Sequence, residues 1–134
     1  KHVIIIDDSI VRGTSSEAII KSIKNAGARR ITMVITYPPI RYPCYAGIDF
    51  PSQQELLAFQ YAKDEKSNKK IGDNIAKIIG ADDVIYNDTE NLALGIGLKE
   101  NELCFSCSTG DYSTLGIKPN FKTKFKIKES LFVN

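Results

Sequence analysis

The chain has 134 residues, a formal net charge of +2, and 43% hydrophobic and 25% charged residues, which suits one modest globular core. The weak charge balance argues against a nucleic-acid binder, and no apolar stretch approaches membrane-spanning length. Three cysteines are an odd, sparse set that disfavours a disulfide scaffold and fits a reducing cytosol.

Val3 to Ile6 are consecutive, apolar and β-branched. They predict a first strand ending at Asp7, interior and buried on both faces of a parallel sheet. A loop follows, in which Gly13 can take a positive φ. Thr14 and Glu17 have capping-box spacing, so a helix is expected over 14–26, with Ile19, Ile20, Ile23 and Ala26 on one face and Gly27 at its end. Residues 31–37 read as a second strand, making a right-handed βαβ unit the expectation. The Pro-, Tyr- and Gly-rich stretch 38–52 reads as an ordered loop and 53–60 as a short helix. Residues 62–70 read as a solvated connection or helix start. A helix over 71–79 ending at Gly80, a short strand over 83–87 and a helix over 89–98 complete the pattern. The tail alternates Lys118, Lys122, Lys124, Lys126 and Lys128 with Phe121, Phe125 and Ile127. Packed apolar residues and solvated lysines explain it better than anion binding. No repeat or linker divides the chain. His2, the only histidine, precedes the first strand and is not expected to be catalytic.

The chemistry concentrates at the end of the first strand. Asp7 and Asp8 can grip sugar hydroxyls, directly or through a magnesium ion. Backbone N–H groups of the loop and the helix start can cradle a phosphate. Ligands of open α/β sheets sit at such carboxyl ends of strands. A plain strand, Asx turn and capped helix is the competing explanation. Cys104 and Cys107 form a C-x-x-C, whose spacing alone is compatible with zinc, an iron–sulfur cluster, a redox disulfide or chance. No strand-to-helix pattern supports a thioredoxin-type site. Cys44 alone reads as a buried thiol.

The string Asp7-Asp8-Ser9-Ile10-Val11-Arg12-Gly13-Thr14-Ser15-Ser16 resembles the phosphoribosyl-diphosphate signature of type I phosphoribosyltransferases. At full length it resembles that of the glutamine phosphoribosylpyrophosphate amidotransferase family. In order, Pro38-Pro39, Tyr42-Pro43-Cys44-Tyr45, Gly47-Ile48-Asp49-Phe50-Pro51, Glu55-Leu56-Leu57-Ala58, Ile79-Gly80-Ala81-Asp82 and Gly110-Asp111-Tyr112 also match. The resemblance covers residues 2–112 and departs from the family pattern over 62–70, where the family is shorter.

The resemblance implies an α/β fold, a mainly parallel sheet with flanking helices, as a partial type I phosphoribosyltransferase domain. It implies a glycosyltransferase that moves glutamine-derived ammonia to C1 of 5-phosphoribosyl diphosphate, releasing pyrophosphate and giving 5-phosphoribosylamine, the first step of de novo purine synthesis. Asp7 and Asp8 are then catalytic and hold Mg2+. Asp7, Asp8, Ser9, Arg12, Gly13, Thr14, Ser15 and Ser16 bind the substrate. Some members of the family carry a [4Fe–4S] cluster; Cys44, Cys104 and Cys107 fall at three ligand positions, the fourth lying outside this chain. The cluster is expected to be structural or oxygen-sensing. The chain begins without methionine and lacks a glutaminase domain and a first transferase half. It therefore reads as the C-terminal part, 1–134 with a tail over about 113–134, of a larger cytoplasmic enzyme, and as inactive alone. The implied partners are phosphoribosyl diphosphate, glutamine through the other domain, purine nucleotides as feedback ligands and a further copy of the chain, with no nucleic acid and no membrane. Two alternatives share parts of the pattern. One is a non-catalytic phosphoribosyl- or nucleotide-binding regulator of the same fold. The other is a response-regulator receiver domain, with Asp49 as its only well-spaced phospho-acceptor.

Overall fold

The computed structural model describes residues 1–48, 52–62 and 64–119. Strand β1 (His2–Asp7), helix α1 (Thr14–Asn25) and strand β2 (Arg30–Ile35) form the opening unit. After the proline-rich loop come α2 (Leu57–Ala62), α3 (Asn68–Ile79), β3 (Asp83–Tyr86), α4 (Thr89–Ile96) and α5 (Ser106–Thr109). The three strands make one parallel sheet in the order β1-β2-β3. The expected α/β class is therefore present.

The core lies on one face of this sheet. Ile31, Met33 and Ile35 of β2 and Val84 and Tyr86 of β3 meet Ile20 of α1, Leu57 of α2 and Ile71, Ile75 and Ile79 of α3. Fully burying each such aliphatic side chain contributes about 1.5–3 kcal/mol. The isoleucine spacing of α3 is the helical period read from the sequence. Its approach to the sheet depends on Gly72, which the periodicity did not single out. A Cβ there would lie 2.0 Å from the Val84 carbonyl oxygen, so only glycine lets α3 come this close to β3.

β1 corrects the expectation of an interior strand buried on both faces. Among the described residues it pairs with β2 alone, at the edge of this sheet. Ile4 is 62% exposed and Ile6 72%; Ile85, which shares a face with Ile6 through Val34, is 54% exposed. The reason is that α1, α2 and α3 all contribute to the core on the opposite face. Among the described residues nothing covers these isoleucines.

Element ends show the other departures. α1 starts at Thr14, but Gly13 holds the cap position with φ +79° and no side chain caps the helix, so the Thr14–Glu17 capping box does not form. The expected helix over 53–60 is two pieces, because Leu56 is extended between a 3-10 turn at Gln53–Glu55 and α2. A Ser52–Glu55 capping box starts the turn, and the Leu57 N–H donates to the Val11 carbonyl at 2.8 Å. That bond ties α2 to the loop after β1. Asp88 caps α4 by accepting from the Asn91 N–H at 2.7 Å. α5, at four residues, is too short to leave a periodic signal in the sequence. Asp49, Phe50 and Pro51, and the tail from residue 120, lie outside the described residues.

Candidate functional site

The loop after β1 is held by its carbonyls and by one buried side chain. Asp7 and Asp8 carbonyls accept from the Thr36 and Tyr37 N–H groups, each at 3.0 Å, and the Val11 carbonyl accepts from Leu57. Ile10 is buried in the core. Gly13 is buried at positive φ, and a Cβ there would stand 2.6 Å from Leu57 Cδ2 and 3.2 Å from Ile79 Cγ2. The glycine thus serves both the left-handed turn and the packing beneath it. Residues 9–13 pair with no strand, so the chain turns straight into α1.

The N–H groups of Gly13, Thr14, Ser15 and Ser16 face the opposite situation. They open α1 and have no carbonyl one turn earlier within it to bond. Among the described residues no other bond uses them. They sit at the positive end of the α1 dipole, beside the carboxyl end of a parallel strand, which favours an anion. Thr14 and Ser15 are exposed and Ser16 is buried.

The carboxylates stand at the mouth of this loop, Asp7 half-buried and Asp8 exposed. Asp7 Oδ1 accepts from the Asp8 N–H at 3.0 Å, and Asp8 Oδ1 accepts from the Ser9 N–H at 2.7 Å and the Ser9 hydroxyl at 3.4 Å. One oxygen of each carboxylate orients the loop and the other is left for a sugar hydroxyl or a hard cation. Arg12 turns away from the carboxylates toward Glu55, at 3.3 Å across an exposed pair. Hydrogen bonds from Ser52, with Arg12 adding to them, hold the Glu55 carboxyl below its ordinary range. Arg12 therefore joins the loop to the 3-10 turn, which sequence spacing did not suggest.

A second lobe gathers the cysteines. The Cys107 carbonyl accepts from the Arg41 and Tyr42 N–H groups, each at 2.9 Å. The Ser108 hydroxyl donates to the Pro39 carbonyl at 2.6 Å, and Tyr112 donates to the Pro43 carbonyl. The Tyr45 and Tyr112 rings meet edge to face at 5.0 Å. These bonds clamp 104–112 against 37–45. Cys44, Cys104 and Cys107 are free thiols; burial first, then the Cys107 hydrogen bond and the charge the three sulfurs carry when ionised, push the Tyr37 hydroxyl well above its ordinary range. Burial pushes the Cys107 thiol up; the Tyr37 hydrogen bond opposes this, and Cys44 and Cys104 add to it. The donor set, soft sulfur brought to one neighbourhood, fits a thiolate-bound cluster. Among the described residues no three His, Cys, Asp or Glu side chains close on a single ion.

A cleft of about 450 Å3 opens beside this lobe, lined by Pro38, Pro39, Arg41, Lys66, Asn68 and Asp88 among others, and no residue of 7–16 lines it. The loop after β1 lies outside this cleft, and N–H groups at a helix start can bind an anion without a deep cavity. Among the described residues no helix is long and apolar enough to cross a membrane.

No protein-family model matches the chain. Whole-protein comparison does find relatives. The amidophosphoribosyltransferase of Methanothermobacter thermautotrophicus is 43% identical over 114 residues, 85% of this chain and 22% of that protein. That of Haemophilus influenzae is 40% identical over 127 residues, 92% of this chain and 23% of that protein. The solved glutamine phosphoribosylpyrophosphate amidotransferase of Bacillus subtilis, complexed with ADP and GMP, superposes with a TM-score of 0.70 at 36% identity, over 83% of this chain and 23% of that one. A structure described as the allosteric regulatory enzyme of purine biosynthesis gives a TM-score of 0.68 at 38% identity, over 84% of this chain and 23% of that one. The chain thus spans about a fifth of the length of the curated relatives it matches. These likenesses set aside the receiver-domain reading. Over most of its length the chain is similar to one segment of the amidophosphoribosyltransferases, and it carries the type I phosphoribosyltransferase fold.

Proposed function

We propose that this chain supplies the phosphoribosyl-binding loop of an enzyme that transfers glutamine-derived ammonia to C1 of 5-phosphoribosyl diphosphate. The observation that carries this is the pairing of unspent N–H groups at Gly13 to Ser16 with two carboxylates at one strand end. Those N–H groups, with the Thr14 and Ser15 hydroxyls, hold the 5′-phosphate. Ser9 and Arg12 keep the loop in shape around it. Asp7 and Asp8 hold the ribose hydroxyls.

As the bond from C1 to pyrophosphate breaks, its electron pair leaves with pyrophosphate and positive charge builds on the ribose ring. Fixed carboxylates near the ring stabilise that charge. Ammonia brings its own lone pair to C1 and gives the protonated amine, which releases its extra proton to water to leave 5-phosphoribosylamine, so no general base is required of this chain. Asp7 and Asp8 are the residues to hold magnesium, which when bound neutralises the departing pyrophosphate. Cys44, Cys104 and Cys107 are the residues to hold a [4Fe–4S] cluster, which supplies structure or oxygen sensing rather than chemistry at C1.

In this reading residues 1–134 are the C-terminal part of the transferase domain. A glutaminase domain and the first transferase half belong to the same cytoplasmic, homo-oligomeric enzyme, with purine nucleotides as feedback ligands. The open isoleucine face of the sheet is consistent with further structure packing there. The test is Asp7→Asn and Asp8→Asn in the full-length enzyme. Transfer should fall on the order of 100-fold or more, as when a charge-stabilising group is lost, while glutamine hydrolysis persists. Equal loss of both half-reactions would overturn the assignment.

A further inference from the structure

Tyr37 bonds to both regions. Its N–H donates to the Asp8 carbonyl at 3.0 Å. Its hydroxyl lies 3.2 Å from the Cys104 carbonyl oxygen and 3.5 Å from Cys107 Sγ. The ring is half-buried and packs at 6.1 Å from Phe105, which sits between the two cysteines of the C-x-x-C. Nothing in the chemistry at C1 uses this phenol, and the cysteine spacing does not point to it.

We propose that Tyr37 is a positioning residue of the cysteine site, its hydroxyl donating a hydrogen bond to the Cys107 sulfur when that sulfur ligates the cluster. This rests on the cluster reading above. As a free thiol, Cys107 can donate to the phenol oxygen while the phenol donates to the Cys104 carbonyl. A ligating cysteine has lost its proton and is an acceptor only. The phenol then has two acceptors within reach, the carbonyl and a negatively charged sulfur, and charge favours the sulfur. Partial burial shields this bond from competing water and strengthens it. Hydrogen bonds to ligating sulfur are among the determinants of a cluster's reduction potential. A donor here stabilises the more negative, reduced form and makes the sulfur a poorer target for oxidants.

The experiment uses the full-length protein, prepared anaerobically, as wild type and Tyr37→Phe. Both should hold iron and sulfide in equal amounts. In Tyr37→Phe the one-electron reduction equilibrium should shift about tenfold toward the oxidised form, about 59 mV for a one-electron couple. Its visible absorption should also bleach faster in air. Replacing Tyr37 by 3-fluorotyrosine, a stronger donor of the same shape, should move the potential the other way, and this arm decides the question if Tyr37→Phe folds poorly. Unchanged potential and bleaching rate in both variants overturn the role of Tyr37 and leave the cluster reading intact. Wild-type protein that holds no iron–sulfur cluster overturns both.

Discussion

The strand-end loop and the cysteine lobe are built on opposite plans. The loop is a contiguous run, residues 7–16, in which the Asp7, Asp8 and Val11 carbonyls are tied down and the helix-opening N–H groups take no bond among the described residues. The cysteine lobe joins two segments far apart in the chain. Its bonds from Ser108 to Pro39 and from Tyr112 to Pro43 each link residues 69 positions apart. A contiguous site depends on local backbone conformation, and an assembled one on the clamp between its halves. Damage to each should therefore look different.

The largest effect is expected in the loop. Gly13→Ala places a Cβ at φ +79° against Leu57 and Ile79. Left-handed strain and overpacking together should cost about 1–3 kcal/mol, visible as a lower urea midpoint. In the full-length enzyme the KM for phosphoribosyl diphosphate should rise, with iron content unchanged. A variant of wild-type stability and KM would show that the local backbone is not what the site depends on.

A smaller and opposite pattern is expected in the lobe. Tyr112→Phe leaves the Pro43 carbonyl without that bond, at a cost of about 1 kcal/mol. Iron retention by the full-length protein should fall while the KM for phosphoribosyl diphosphate holds. Loss of substrate affinity without loss of iron would break the distinction between the two regions.

The smallest effect tests the scaffold between them. Arg30 and Asp83 pair at 2.7 Å across the N-terminal ends of β2 and β3. The Arg30 hydrogen bond holds the Asp83 carboxyl below its ordinary range. Such a carboxylate stabilises the fold above its unfolded pKa, and that contribution fades as pH falls through its lowered folded pKa. The stability gap between wild type and Arg30→Gln should be slight and constant at neutral pH and close on acidification. Both sites should be indifferent to the change. A gap that widens in acid would show that the pair is not the cause of the shift.

The order of strands and helices, the parallel sheet and the strand–loop–helix geometry around Asp7 to Ser16 followed from the sequence, because each rests on short-range rules. Val3 to Ile6 could be read as a strand from β-branching, α3 from the spacing of Ile71, Ile75 and Ile79, and its end from Gly80. The run from Asp7 to Ser16 carries its own turn chemistry. Resemblance, not spacing, put Cys44 with Cys104 and Cys107. Only the tertiary structure decided that Ile4 and Ile6 of β1 lie on an uncovered face, that Gly72 sets the distance between α3 and β3, and that Arg12 faces Glu55. The same holds for the phenol of Tyr37 beside the sulfur of Cys107. The physical reason is range. Side-chain period, capping and turn preference act over a few residues and are written in neighbouring letters. Which face of a strand is covered, and which distant loops share a hydrogen bond, depends on how whole elements pack, and no local pattern records it.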